Sequence, residues 1–285
     1  MENIKKLPAN FIIKRIQSLT GLFLTLFLFE HLLTNSMASA WIENDGNYFV
    51  KVVNNLQSIP FLHLVEVVLI GVPILFHAFL GGSYIFEAKC NSKKTNGKYP
   101  SLNYKRNKAF SWQRYTAIFI GIFLIFHVAE MRFINYPKTL KIKNEKKYFV
   151  KIKNDFNLKA LVNRLNGKIY LKKDVLNFKN SPEYKILKRY NLKDKQIIVS
   201  TNSFGKATLL NVRDDFKKPI MVFLYSFFVI FSCFHAANGF WTFLITWGII
   251  ISYKSQMSAL KGALLFMLII LSFGMLSIWG TYLFS

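Results

Sequence analysis

Cysteine is scarce in this 285-residue chain. Only Cys90 and Cys233 occur, one in a basic connection and one in an apolar run, so no disulfide framework is expected. There is no C-x-x-C-H sequence, so any haem would be held without the thioether links of a c-type cytochrome. Acidic residues are also few, 14 Asp and Glu against 38 Lys and Arg, giving a formal net charge of +24. That charge fits nucleic acid, an anionic membrane surface or an acidic partner. The apolar content described next selects the membrane and leaves no case for nucleic acid. The lysine-led N-terminus resembles a signal peptide, but its apolar stretch carries Glu30 and His31 near its end and has no small-residue cleavage site. It reads as a retained helix.

What the chain has in abundance is apolar surface: 52% hydrophobic residues, 16% aromatics and 29 phenylalanines. Five apolar segments lie at about residues 11–34, 60–86, 111–131, 219–250 and 259–284, each near the roughly 20 residues needed to cross a bilayer. Lys5, Lys6, Lys14 and Arg15 precede the first. The 87–110 connection holds Lys89, Lys93, Lys94, Lys98, Lys105, Arg106 and Lys108, and Lys254 lies between the last two. The 35–59 connection has Lys51 against Glu43 and Asp45. The positive-inside rule therefore predicts a cytoplasmic N-terminus and an outer C-terminus.

Residues 137–217 interrupt this pattern. Through Lys218 the segment carries 22 Lys and Arg against 7 Asp and Glu, but long connections cross membranes largely regardless of charge. The runs KKYFVKIK, GKIYL, KQIIVST and KATLLNV read as strands. FNLKALVNRLN and SPEYKILKRYN read as helices, the second opening on Ser181 and Pro182. The expected fold is all-α and transmembrane: helices I–III in 1–136, a small α+β outer-face insertion in 137–217, and helices IV–V in 218–285. No internal repeat or symmetry is evident.

Four of the five histidines fall inside these helices at two depths. His31 lies about 30 Å along the first helix and His127 about 24 Å along the third, both running outward. His77 and His235 each lie about 24 Å along the second and fourth, which run inward. The result is one pair near each face. Intramembrane polar groups mark function, and two imidazoles complete a haem iron from above and below with no open position for oxygen. Hydrogen bonding between helices is the plain alternative. A zinc or di-iron site needs ligands at one depth with carboxylates, which this split opposes. Gly21, Gly71, Gly81, Gly82, Gly121 and Gly239 make room either for flat macrocycles or for ordinary helix contacts.

The segments RIQSLTGLFLTLFLFEHLLTNS, LQSIPFLHLVEVVLIGVPILFHAFLGGSYIFEAK, WQRYTAIFIGIFLIFHVAEMRF and FHAANGFWTFLITWGIIISYKSQ occur in this order. With them the chain resembles the cytochrome b membrane-anchor subunit of succinate:quinone oxidoreductases (succinate dehydrogenase and fumarate reductase), in its one-subunit, five-helix, di-haem bacterial form. The resemblance covers the first four membrane segments, and the last motif is the most specific. It implies two haem b groups, an outer one on His31 and His127 and an inner one on His77 and His235. It also implies an FAD-containing flavoprotein and an iron–sulfur subunit on the cytoplasmic face of a bacterial membrane. Electrons would pass from succinate to quinone, usually menaquinone, and fumarate reduction is the reverse. Two departures stand out. The 137–217 segment exceeds the family's usual short connection, and Cys233 stands where some fumarate-reducing members carry a proton-conducting glutamate.

Quinone reduction consumes two protons, so its pocket should adjoin a haem and ionisable groups. Glu30, His63, Glu66 and Glu130 meet that description on the outer side, with interfacial placement as the alternative for each. Arg132 is a candidate partner for a haem propionate or Glu130. Arg15, Ser18 and Arg114 are candidates for propionate or iron–sulfur-subunit contacts, against simple positive-inside anchoring for the arginines. Competing readings are the haem-bearing membrane subunit of a hydrogenase or formate dehydrogenase, a haem-free anchor, and a transporter.

Overall fold

A computed structural model describes residues 8–89, 91–92, 96–97, 100–102, 104–142 and 145–284. Lys5, Lys6, Cys90, Lys93, Lys94 and Lys98 lie outside the described residues. The five apolar segments all fold as long helices: α1 Ala9–Ser36, then, after the shorter α2 Asn47–Gln57, α3 Leu62–Glu87 and α4 Lys105–Ile134. Helix α5 (Phe156–Arg164) and helix α6 (Phe204–Phe216) precede the last two long ones, α7 Pro219–Thr246 and α8 Tyr253–Phe284.

The long helices are membrane helices by their unburied apolar surface as well as their length. The most apolar window of α3 has a mean hydropathy of 2.2 and none of it is buried within the chain. The corresponding share for α4 is 6%. Side chains such as Phe86, 90% exposed, need hydrocarbon around them, because unpaired apolar patches of this extent are not stable in water. The chain is a multi-pass membrane protein.

Two of these helices widen locally. In α3, Val67–Gly71 forms a π-helical turn in which Val72 N–H reaches back to the Val67 carbonyl. Pro73 follows directly; its ring clashes with an ordinary preceding turn and it supplies no N–H, which the wider turn accommodates. Helix α4 ends in a second π turn, Ala129–Ile134, closed by Asn135 N–H on the Glu130 carbonyl at 2.7 Å.

The described residues form two compact units. One lies within Met1–His31, His63–Phe123 and Phe228–Leu271; the other within Leu32–Leu62, Leu124–Phe227 and Ser272–Ser285. In the first, phenylalanines interlock between helices: Phe119 stands edge-on to Phe231 with centroids 4.8 Å apart, and Phe123 stacks on Phe228 at 4.5 Å. Aromatic pairs of this kind supply packing where lipid removes the hydrophobic drive between helices.

The second unit contains a four-stranded antiparallel sheet, ordered β1-β2-β4-β3, from β1 Lys138–Ile142, β2 Glu145–Lys153, β3 Lys168–Tyr170 and β4 Gln196–Thr201. Phe149, Tyr170, Ile186, Leu187, Leu192 and Ile198 form a core within it. Three of the four expected strands are β2, β3 and β4. The fourth, KATLLNV, is instead the body of α6. Its brief alternation suggests a strand, but Ser203 caps a helix there, its hydroxyl accepting Lys206 N–H at 3.3 Å. Burial then runs without a break from Leu209 to Phe216, leaving no solvent face to alternate with. SPEYKILKRYN shortens to one turn at Tyr184–Leu187, and β1 carries too brief a pattern to stand out.

The 35–59 connection is more than a loop. Helix α2 buries Phe49 and Val50 and packs in the same unit as α6. Gly46 opens α2 at φ +60, and a Cβ there would come within 2.7 Å of Leu209. Only glycine meets both demands cheaply. Arg213 of α6 completes the join by donating to the carbonyls of Ala38 at 3.1 Å, Glu43 at 2.9 Å and Asn44.

Candidate functional site

His77 on α3 and His235 on α7 face each other in the first unit, with ring centroids 6.3 Å apart and planes at 78°. Each ring is held by a threonine. Thr20 Oγ1 lies 3.3 Å from His77 Nδ1, and Thr116 Oγ1 lies 3.3 Å from His235 Nδ1. Both hydroxyls have somewhere else to donate. Thr20 reaches the Ile16 carbonyl at 2.9 Å, and Thr116 the Trp112 carbonyl at 2.8 Å. A hydroxyl that gives its one proton to a carbonyl must accept from the imidazole, so the network assigns the proton to each Nδ1. Nε2 then keeps its lone pair. That tautomer is the one a metal needs, and the partner on the other nitrogen fixes ring orientation.

A glutamine supports each histidine from below. Gln17 Nε2 donates to the His77 carbonyl at 3.2 Å, and Gln113 Nε2 to the His235 carbonyl at 3.0 Å. Asn238 then donates to Gln113 Oε1 at 2.7 Å. Gln17 Oε1 is buried and lacks such a donor among the described residues. Gly21 makes room for the pair, since a Cβ on it would sit 2.9 Å from His77 Cε1. We expect Gly21→Val to displace His77 and to shift the absorption and paramagnetic spectra of any group the pair binds; unchanged spectra would show that Gly21 is a simple helix contact.

These bonds expose a repeat that sequence inspection did not find. Gln17, Thr20 and His31 on α1 have the same spacing as Gln113, Thr116 and His127 on α4. FHAFLG around His77 matches FHAANG around His235 in the form F-H-A-x-x-G. The signal was present but sparse, a few positions scattered through variable apolar residues. Thr20, Thr116, Gln17 and Gln113, none of them expected as site residues, belong to it.

In the second unit, His127 Nδ1 lies 3.0 Å from Tyr225 Oη. The phenol in turn donates to Glu130 Oε2 at 3.3 Å, and Phe216 stands edge-on to its ring at 5.5 Å. Glu130 therefore reaches its histidine through a tyrosine. Asp215 accepts from Lys218 at 2.6 Å and from Asn135 at 3.2 Å. Arg132 lies over Tyr136 at 5.1 Å.

The other expected residues belong to the first unit. His31 packs against Phe27 with centroids 5.5 Å apart, and Glu30 is exposed. His63 and Glu66 meet at 3.4 Å. Arg15 lies over Phe11 at 4.0 Å, Arg114 lies over Phe110 at 5.2 Å, and Ser18 stands between Gln17 and Thr20 in α1. Cys233 is fully buried two residues before His235.

No family model matches the chain, and no solved structure matches it. A curated protein does: the succinate dehydrogenase cytochrome b558 subunit of Bacillus subtilis (strain 168), 25% identical over 247 residues, which cover 86% of this chain and 84% of that protein. The chain is thus similar, over most of its length, to a succinate dehydrogenase cytochrome b subunit. The match spans most of both chains, so it exceeds what one shared apolar helix would give.

Proposed function

We propose that the chain is the di-haem cytochrome b subunit of a succinate:quinone oxidoreductase. The observation that carries this reading is the His77–His235 pair. Two imidazoles on opposite sides of one iron, each with a nitrogen–metal distance of about 2 Å, place their ring centroids about 6 Å apart. The 6.3 Å separation meets that requirement. The donor set fits as well: two neutral nitrogens, each tautomer fixed from behind, suit a cofactor that supplies the remaining ligands itself. The second pair is His31 with His127, supported by their equivalent positions in the repeat. When bound, the haems would relay single electrons.

The residues of the chain do the rest. Thr20 and Thr116 hold Nδ1 protons, and Gln17 and Gln113 fix the backbone beneath the ligands. With both imidazoles engaged, a bound haem would have no open position for small molecules and would serve electron transfer. An FAD-containing flavoprotein and an iron–sulfur subunit would dock on the cytoplasmic side, beside Arg15, Ser18 and Arg114, and deliver electrons from succinate. Quinone, with menaquinone the usual substrate for this form, would exchange at the outer end, where Glu130 is aligned by Tyr225. Buried Cys233 offers no carboxylate for a transmembrane proton path at that position.

The decisive experiment is a redox titration of the purified complex with succinate and a menaquinone analogue. Two six-coordinate low-spin b haems reduced by succinate support the proposal; a haem-free protein overturns it. For the quinone site, Glu130→Gln, Glu30→Gln, Glu66→Gln and His63→Ala are each expected to lower quinone turnover with both haem spectra intact, the largest drop being at Glu130. Normal turnover in all four would move the site elsewhere.

A further inference from the structure

We propose that the second unit carries a binding site for a phosphate-type anion, formed by Lys138, Lys151 and Arg189 at the membrane edge and filled by the headgroup of an anionic phospholipid. The three cations line one recess together with Tyr190, Asn191 and Ile134. None of the ten residues lining it is acidic. The site is independent of haem and quinone.

The recess is built rather than accidental. Tyr190 is fixed by its hydroxyl, which donates to the Phe149 carbonyl at 2.7 Å. Its ring supports the Lys138 ammonium, 3.9 Å from the centroid, and Lys138 also donates to the Arg189 carbonyl at 3.3 Å. Two of ammonium's three donors are therefore used in holding it, with one left for a ligand. Burial pushes the Lys138 ammonium below its ordinary range, and the charges of Arg189 and Lys151 push the same way. Elsewhere in the unit, half-buried lysines like Lys138 and Lys151 meet carboxylates: Lys147 meets Glu183, and Lys218 meets Asp215. Among the described residues lining this recess three like charges converge without one, Arg189 from its exposed rim, and an anion relieves the repulsion.

Position favours lipid as the source. Ile134 is the last residue of the membrane-spanning helix α4, and it and Phe133 are 73% and 78% exposed. A phosphate seated on the cations would let acyl chains run down over these two side chains. Ammonium and guanidinium groups just outside a membrane helix, beside interfacial tyrosines, are suited to anionic headgroups.

The test uses the full-length protein in neutral detergent with phosphatidylglycerol, phosphatidylcholine or inorganic phosphate added, bound lipid being counted by native mass spectrometry. Wild type is expected to retain phosphatidylglycerol over phosphatidylcholine. The triple variant K138Q/K151Q/R189Q should bind it about tenfold more weakly, with its far-ultraviolet circular dichroism unchanged. A control, K141Q/K146Q/K193Q, removes equal charge from the same unit outside the recess and should bind as wild type. Displacement of the lipid by millimolar inorganic phosphate would support the anion site and identify free phosphate as a competing source. Equal binding by the triple variant and wild type overturns the proposal, as does equal weakening in the control.

Discussion

Replacing His235 with alanine is expected to remove one low-spin haem signal from the purified protein, lowering haem content from about two to about one per chain. The reason lies in the geometry of the pair. His77 and His235 meet at 6.3 Å, and each is held through Nδ1 by its own threonine. With one ring gone, a single ligand remains on one face, and any residual haem becomes five-coordinate and high-spin. His77→Ala should give the same result, because both faces are needed. His31→Ala should remove the other signal and spare this one. Thr116→Val is the milder companion, keeping haem while loosening the ring orientation, as loss of a supporting hydrogen bond does at metal sites. A His235→Ala protein with both haems and unaltered spectra would end the pairing.

Much of the membrane part was legible because a bilayer makes simple demands. Runs of twenty or so apolar residues follow from hydropathy alone, and each became a long helix. The helix ends moved by at most six residues, as at α4, where Lys105–Phe110 precedes the apolar run. What stayed hidden was the layer behind the ligands. Thr20 and Thr116 look like ordinary small residues in a membrane helix, and their role becomes visible only when the hydroxyls are found against two imidazoles. Tyr225 was hidden for a related reason: it is distant in sequence from His127 and Glu130, and only the packing of α4 and α7 joins them. The 137–217 segment was harder still. KATLLNV alternates for a few residues, and nothing local says that α6 will be enclosed on every side by α2, the sheet and the 37–46 turn.

That enclosure rests on Arg213, and Arg213→Met is expected to destabilise the second unit by about 3 kcal/mol. Its side chain is 2% exposed, and burial lowers the guanidinium from 12.5 to about 10, so it stays cationic at neutral pH. Among the described residues no carboxylate hydrogen-bonds it. Three backbone carbonyls do, those of Ala38, Glu43 and Asn44, and together they fix the turn that leads from α1 into α2. Methionine fills much of the volume but leaves those acceptors without their donors. Lysine restores charge without the planar fork and should recover only part of the loss. The nearby Arg164–Asp45 bond at 2.6 Å cannot compensate, because both partners are substantially exposed and such pairs contribute little. Limited proteolysis of the protein in micelles gives the readout: Arg213→Met should be cut within residues 37–46 well before wild type, and Arg213→Lys at an intermediate rate. Cleavage matching wild type would mean that the contact between α2 and α6, rather than the guanidinium, holds this turn in place.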